Sequence, residues 1–177
     1  MDEVKIVLLV GTDRPNSQTV VVAERLHEAF VHAGACHVAL YNVTDFGQDF
    51  YSPDAYTDKP LAFQHFNDAV LAADLIVVVT PEYNATLPAP LARVLNLLQY
   101  PASFEGKKYS IVSVSAGPWG GARVHDQLKQ VLHHLHAQLD DTVNLKIGNV
   151  TDAVKNNTPY AQQAEALIAY AALPSNG

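Results

Sequence analysis

Residues Gly11 to Thr19, GTDRPNSQT, put the hydroxyls of Thr12, Ser17 and Thr19, the Asn16 amide and the Arg14 guanidinium within nine positions. The stretch follows the apolar run IVLLV and precedes VVVAERLHEAF, whose apolar spacing is helical. A helix start offers unpaired backbone N–H groups and the positive end of a dipole, and arginine adds a forked cation suited to phosphate. The set fits an anion seat of the kind that holds a terminal phosphate monoester. It lacks G-x-x-x-x-G-K-[ST] and G-x-G-x-x-G, so it is neither a P-loop nor the dinucleotide fingerprint. The plainer alternative makes Ser17 an N-cap and Arg14 a solvated surface residue. Asp13 favours that alternative unless its carboxylate turns away from the seat.

Two further stretches carry chemistry. In PEYNATLPAP, Pro81, Pro88 and Pro90 stiffen the chain, which lets it present backbone groups to a planar heterocycle; Tyr83 can pack on a ring and Asn84 can bond its edge. In SAGPWGGARVHDQL, Gly117, Gly120 and Gly121 remove side chains so that a ligand can approach the backbone. Arg123 stands in the first turn of the following helix, where the dipole disfavours a cation. A phosphate, an ion pair across a subunit boundary and simple exposure all remain open for it. Both stretches also read as ordinary turns of an α/β protein.

The elements that must position these loops alternate. Apolar, β-branched runs predict strands at Val4 to Val10, Cys36 to Val43, Leu75 to Val79, Lys107 to Ser115 and Val143 to Ile147. Amphipathic spacing predicts helices at Ser17–Ala33, Leu61–Ala73, Ala89–Leu98, Ala122–Leu139 and Pro159–Ala172. The stretch from Asn42 to Pro60 reads as a long loop with aromatic contacts from Phe46, Phe50, Tyr51 and Tyr56. Parallel strands need crossovers of one hand, so this order predicts a single α/β domain over residues 1–177. The expected architecture is a flavodoxin-like three-layer sandwich, with a five-stranded parallel sheet in order 2-1-3-4-5 and helices on both faces. Strands 1, 3 and 4 are then neighbours, and the three unusual loops open on one edge.

Totals narrow the partners. The chain has 177 residues, 49% of them hydrophobic, and a net charge of −7, which argues against nucleic acid and against an anionic bilayer. The lone Cys36 forms no intramolecular disulfide, which fits a reducing compartment, and a cytoplasmic location is expected. The amino terminus opens with two acids and a short apolar run, so neither a signal peptide nor a membrane anchor is expected. His125, His133, His134 and His136 share a predicted helix, but His133 and His134 point apart and nothing completes a tight ligand set, so no metal is expected. SVSAG has Ser113 where a nucleophile elbow needs glycine, and no catalytic triad follows.

Taken together, the three loops resemble the NADPH-dependent FMN reductase family of flavodoxin-like fold, over nearly the whole chain in element order. The resemblance implies FMN as cofactor and NADPH as hydride donor. It implies that Gly11, Thr12, Arg14, Ser17 and Thr19 hold the FMN phosphate, with Asn16 and Gln18 nearby in the cofactor site, and that Pro81, Glu82, Tyr83 and Asn84 lie along the isoalloxazine. Ser115, Gly117, Gly120 and Gly121 would close the other side, with Trp119 and Tyr83 as walls of the substrate site. It further implies a small oxidised acceptor (quinone, azo compound, chromate or free flavin), no obligatory protein nucleophile, acid or base, and a homodimer or homotetramer. Asp13, Pro118 and Trp119 depart from the family pattern. A non-catalytic flavodoxin-like electron carrier or ligand-sensing module is the alternative.

Overall fold

Strand β1 (Lys5–Val10) is apolar on both faces because both faces are covered, and a computed structural model shows what covers them. The structure describes residues 4–35, 37–155 and 158–174. The further elements are α1 (Gln18–His32), β2 (His37–Asn42), α2 (Leu61–Ala72), β3 (Leu75–Pro81), α3 (Ala89–Leu97), β4 (Lys108–Val114) and α4 (Ala122–His134). They are followed by β5 (Gln138–Leu139), β6 (Leu145–Ile147), α5 (Val150–Ala153) and α6 (Thr158–Ala172). The order across the sheet is β2-β1-β3-β4-β5, every pairing is parallel, and β6 also pairs with β4. This is the expected flavodoxin-like sandwich.

Side chains alternate along each strand and divide the core in two. Val7, Leu9, Ile76, Val78 and Ile111 face α2, α3 and α4, whereas Ile6, Leu8, Val77, Val79 and Val112 face α1 and α6. On the first side the expected loop at 42–60 folds into three short 3-10 turns, Val43–Phe46, Gln48–Tyr51 and Pro53–Tyr56. Asn42 caps the first in a reciprocal box with Asp45, and Ser52 caps the third ahead of Pro53. Phe46 and Phe50 turn inward and meet Phe63, with ring centroids 5.1 and 5.6 Å away. A fully buried phenylalanine contributes about 1.5–3 kcal/mol, so this segment is held by core packing.

Two boundaries differ from expectation. The helix predicted to run to Leu139 stops at His134, because His136 adopts a left-handed φ of 61° and reverses the chain. Leu139 then belongs to a strand. The single fifth strand expected at Val143 to Ile147 is therefore two pieces: β5 pairs Lys108 and Tyr109, and β6 pairs Val112 to Val114. Between them the Asn144 side chain accepts the Ile111 N–H at 2.8 Å and Ser110 Oγ donates to the Val143 carbonyl at 3.1 Å, so the gap in the ladder is filled by side chains. The predicted start of strand 2 at Cys36 lies outside the described residues.

Candidate functional site

The carboxyl ends of β1, β3 and β4 open on the same edge because those strands are adjacent. Their loops meet around one cavity of about 400 Å³, formed by residues 14–19, 81–83 and 114–116 together with Val150 and Thr151. That volume lies in the range of small-molecule and cofactor sites.

The first loop is built around fixed backbone and free donors. Gly11 donates its N–H to the Val79 carbonyl at 2.9 Å, and a Cβ there would stand 2.9 Å from Leu91 Cδ2, so α3 packs on the bare backbone. Thr12 is buried, and its Oγ1 lies 2.7 Å from the Tyr83 hydroxyl and accepts the Arg14 N–H at 3.2 Å. The loops after β1 and β3 are thereby joined. Asn16 has a left-handed φ of 55°, and Ser17 caps α1 by accepting the Thr19 N–H at 3.2 Å. Ser17 is thus the N-cap of the plainer reading and also lines the cavity. The Arg14 guanidinium lines the cavity too and makes no hydrogen bond or ion pair among the described residues. Asp13 is turned away: it accepts a hydrogen bond from the Tyr51 hydroxyl at 3.3 Å and does not line the cavity. Burial, and then the neighbouring Asp13 charge, raise the Tyr51 pKa above the ordinary phenol value.

Polar groups in the other two loops are largely engaged. Glu82 donates its N–H to the Val114 carbonyl, and its carboxylate accepts from the N–H groups of Arg123 and Val124 at 2.9 and 3.3 Å. The N-cap of α4 is Gly121, which has no side chain, so a carboxylate from a distant loop performs the capping. Arg123 Nη1 completes the set 3.1 Å from Glu82 Oε1. An intrachain carboxylate therefore occupies Arg123, in place of the phosphate or subunit boundary considered from sequence. Ser115 Oγ donates to the Gly117 carbonyl at 2.9 Å, and the backbone of 115–117 is stitched to Ile147, Asn149 and Val150.

Among the residues expected to bind, Arg14, Asn16, Ser17, Gln18, Thr19, Pro81, Glu82, Tyr83 and Ser115 line the cavity. Thr12 supports the lining from behind. Asn84, Gly117, Trp119, Gly120 and Gly121 are outside it; Trp119 is 76% exposed. Gly120 has a φ of 61°, and a Cβ on it would come within 2.8 Å of the Lys146 carbonyl carbon. Gly121 has a φ of 69° and would meet the Val114 carbonyl oxygen at 3.1 Å. The close approach these two glycines permit is to the chain's own backbone. Space around Gly117 is open.

Val150 and Thr151 form a wall that sequence reasoning missed. The signal was Gly148, where a Cβ would stand 2.3 Å from the Pro118 carbonyl oxygen, and Asn149, which has a left-handed φ of 48°. Together they bring the end of β6 under the 115–118 loop.

Between β4 and α4, buried His125 is paired through Nδ1 with Ser113 Oγ at 3.2 Å, and Ser113 Oγ donates to the Gly120 carbonyl at 2.7 Å. With the hydroxyl proton committed to that carbonyl, Nδ1 is the protonated nitrogen of a neutral imidazole. Burial, helped by the nearby Lys146 charge, lowers the His125 pKa to about 4. No group of three or more His, Cys, Asp or Glu side chains able to hold a metal converges among the described residues. No helix among them is long and apolar enough to cross a membrane.

The arrangement can hold an anion at Arg14 and the start of α1, with an extended body running between residues 81–83 and 114–116. A molecule with an anionic end and a flat body suits that donor set, the anion at the Arg14 guanidinium, which is unpartnered among the described residues, and at the helix start.

Comparisons with known proteins identify the family. A family model described as NADPH-dependent FMN reductase matches residues 4–152. An NAD(P)H-dependent FMN reductase of Pseudomonas aeruginosa is 34% identical over 89 residues, covering 49% of this chain and 48% of that protein, so the chain spans about half the length of that relative. A quinone reductase of Escherichia coli is 27% identical over 162 residues, covering 89% of this chain and 84% of that one. Among solved structures, a flavoenzyme NAD(P)H:(acceptor) oxidoreductase of Paracoccus denitrificans superposes with a TM-score of 0.71 at 17% identity, over 96% of this chain and 99% of that one, which supports the fold.

Proposed function

Since this chain belongs to the NADPH-dependent FMN reductase family, we propose that it is an FMN-dependent NAD(P)H oxidoreductase acting on a small oxidised acceptor. A quinone heads the acceptor classes, because a relative aligned over most of both chains is named a quinone reductase. Azo compounds, chromate and free flavin follow. The observation that carries this reading is the convergence of three separate loops on one cavity lined by Arg14, whose guanidinium has no partner among the described residues, beside the start of α1.

In this reading Arg14, Ser17, Thr19 and the backbone N–H groups at the start of α1 bind the phosphate, with Asn16 and Gln18 beside it. Thr12 fixes the loop through Tyr83 and the Arg14 N–H. Residues Pro81 to Tyr83 flank one side of the ring and Val114 to Ala116 the other, with Asn84, Gly117, Gly120 and Gly121 shaping the loops outside the lining and Trp119 exposed beyond them. Bound FMN supplies the hydride chemistry between nicotinamide and acceptor. The chain's share is to orient the ring, to keep water from its face, and to place loop amides where negative charge develops. No side chain of the cavity is required as nucleophile, acid or base.

A cytoplasmic location and a homodimer or homotetramer belong to the same proposal. The single cysteine supports the first and the family resemblance the second; light scattering reads the assembly.

The test is reconstitution with FMN followed by anaerobic NADPH or NADH. Bleaching of the flavin band, then steady-state turnover with a quinone, is the expected result. A stable yellow solution would favour the non-catalytic carrier or sensor, and failure to take up FMN would end the flavin reading.

A further inference from the structure

The turn after β3 is strained in a way that sequence does not announce. Tyr83 and Thr86 exchange backbone hydrogen bonds at 3.3 and 3.0 Å, enclosing Asn84 and Ala85 at φ of 50° and 62°. A two-residue reversal with both central residues left-handed is the I′ type, which favours Asn-Gly. Here alanine stands where glycine is expected. A non-glycine residue held left-handed persists only when its surroundings over-determine it, and such residues gather at functional sites.

Gln127, one turn into α4, supplies the determination. Its Oε1 accepts from the Leu87 N–H at 3.2 Å and from Thr86 Oγ1 at 3.0 Å, and its Nε2 donates to the Ala85 carbonyl at 3.1 Å. The main-chain donor and acceptor fix which end of the amide is which. One side chain thus reads three successive residues of the turn. On the far side of the same turn, the Tyr83 hydroxyl bonds Thr12 Oγ1, and that oxygen accepts the Arg14 N–H. A continuous path of hydrogen bonds runs from α4 through the strained turn to the loop that presents Arg14.

We propose that Gln127 is a positioning residue for the cavity: it holds the 83–87 turn in its left-handed form, so that Tyr83 keeps the anion loop in place. Gln127 itself does not line the cavity. The inference deepens the flavin reading and rests on it for the identity of the bound molecule, but the linkage is a property of the chain alone.

The experiment pairs Gln127→Ala with the double variant Gln127→Ala/Ala85→Gly, since glycine adopts the required φ without support. The first readout is amide hydrogen exchange of the ligand-free protein. Gln127→Ala should speed exchange at Thr86, Leu87 and also Arg14 by about tenfold or more. Gln127→Glu, which keeps the acceptor oxygen and loses the donor to Ala85, should fall between. The second readout is FMN titration with visible-region circular dichroism. Gln127→Ala should weaken FMN about tenfold and change the dichroism of the ring band, and the double variant should recover most of both. An Arg14 amide that exchanges as in the parent would overturn the proposal, as would FMN affinity unchanged in Gln127→Ala or no recovery in the double variant. Should the parent itself bind no FMN while the exchange pattern appears as described, the positioning role stands and the flavin reading falls.

Discussion

The loop at 11–19 and the loop at 115–121 are both short, both follow a buried strand and both lead into a helix, yet they spend their polar groups differently. In the first, the Arg14 guanidinium is without a partner among the described residues, and the cap residue Ser17 faces the cavity. In the second, the helix start is already occupied by the Glu82 carboxylate, the Ser115 hydroxyl bonds its own loop, and Gly120 and Gly121 accommodate neighbouring backbone. A loop that binds an anion keeps donors unspent; a loop that forms a wall satisfies them internally.

That contrast can be broken at several points. The largest effect falls on the wall: Gly120→Ala introduces a Cβ against the Lys146 backbone at a left-handed φ and should destabilise the fold by roughly 3 kcal/mol, read by urea unfolding. A variant as stable as the parent would mean that the glycine is there for a ligand. Next comes the seat. Arg14→Ala should lower FMN affinity by roughly 2 kcal/mol, about thirtyfold, while the unfolding midpoint barely moves, because the side chain is exposed and unpaired among the described residues. Equal FMN binding by the two proteins would remove Arg14 from the site.

Glu82→Ala is the sharper probe of what separates the loops. Loss of the cap on α4 should reduce stability by roughly 1.5 kcal/mol, with a smaller change in FMN affinity. The reverse ranking would mean that the carboxylate serves the ligand first. The smallest effect concerns pH. Neutral His125 titrates near 4 in the fold but near 6.5 when unfolded, so the unfolded chain takes up the proton first as pH falls. Stability should therefore drop by roughly 1 kcal/mol between pH 7.5 and 5.5 from this group. In His125→Asn, whose amide can still donate to Ser113, that part of the slope should vanish; an unchanged slope would assign it elsewhere.

Much of this was legible in the sequence. Continuous apolar runs marked β1, β3 and β4, and their adjacency follows from the alternation of elements, so the meeting of the three loops was deducible. Arg14 and Ser17 were visible because their types and spacing are unusual after a buried strand. The end of α4 was not legible, since Leu135 and Leu139 continue the helical spacing and the residue that turns left-handed is a histidine, with no glycine or asparagine to mark it. The role of Glu82 was hidden because its partners lie 41 and 42 positions away and become neighbours only once β3 and β4 pair. Gln127 was silent for the same reason: it occupies an ordinary helical position, and only the fold brings it beside a turn with alanine in a glycine's conformation.

The divided fifth strand has a consequence for how molecules of this protein meet. A long, flat outer strand offers an uninterrupted row of backbone donors and acceptors, onto which another chain can add and continue the ladder. Here that margin is made of a two-residue and a three-residue piece, with the intervening turn and the Asn144 amide interrupting the row. Edge-to-edge growth finds no continuous template on this side, and the break protects against fibrous association while leaving the helical faces available for ordered contact.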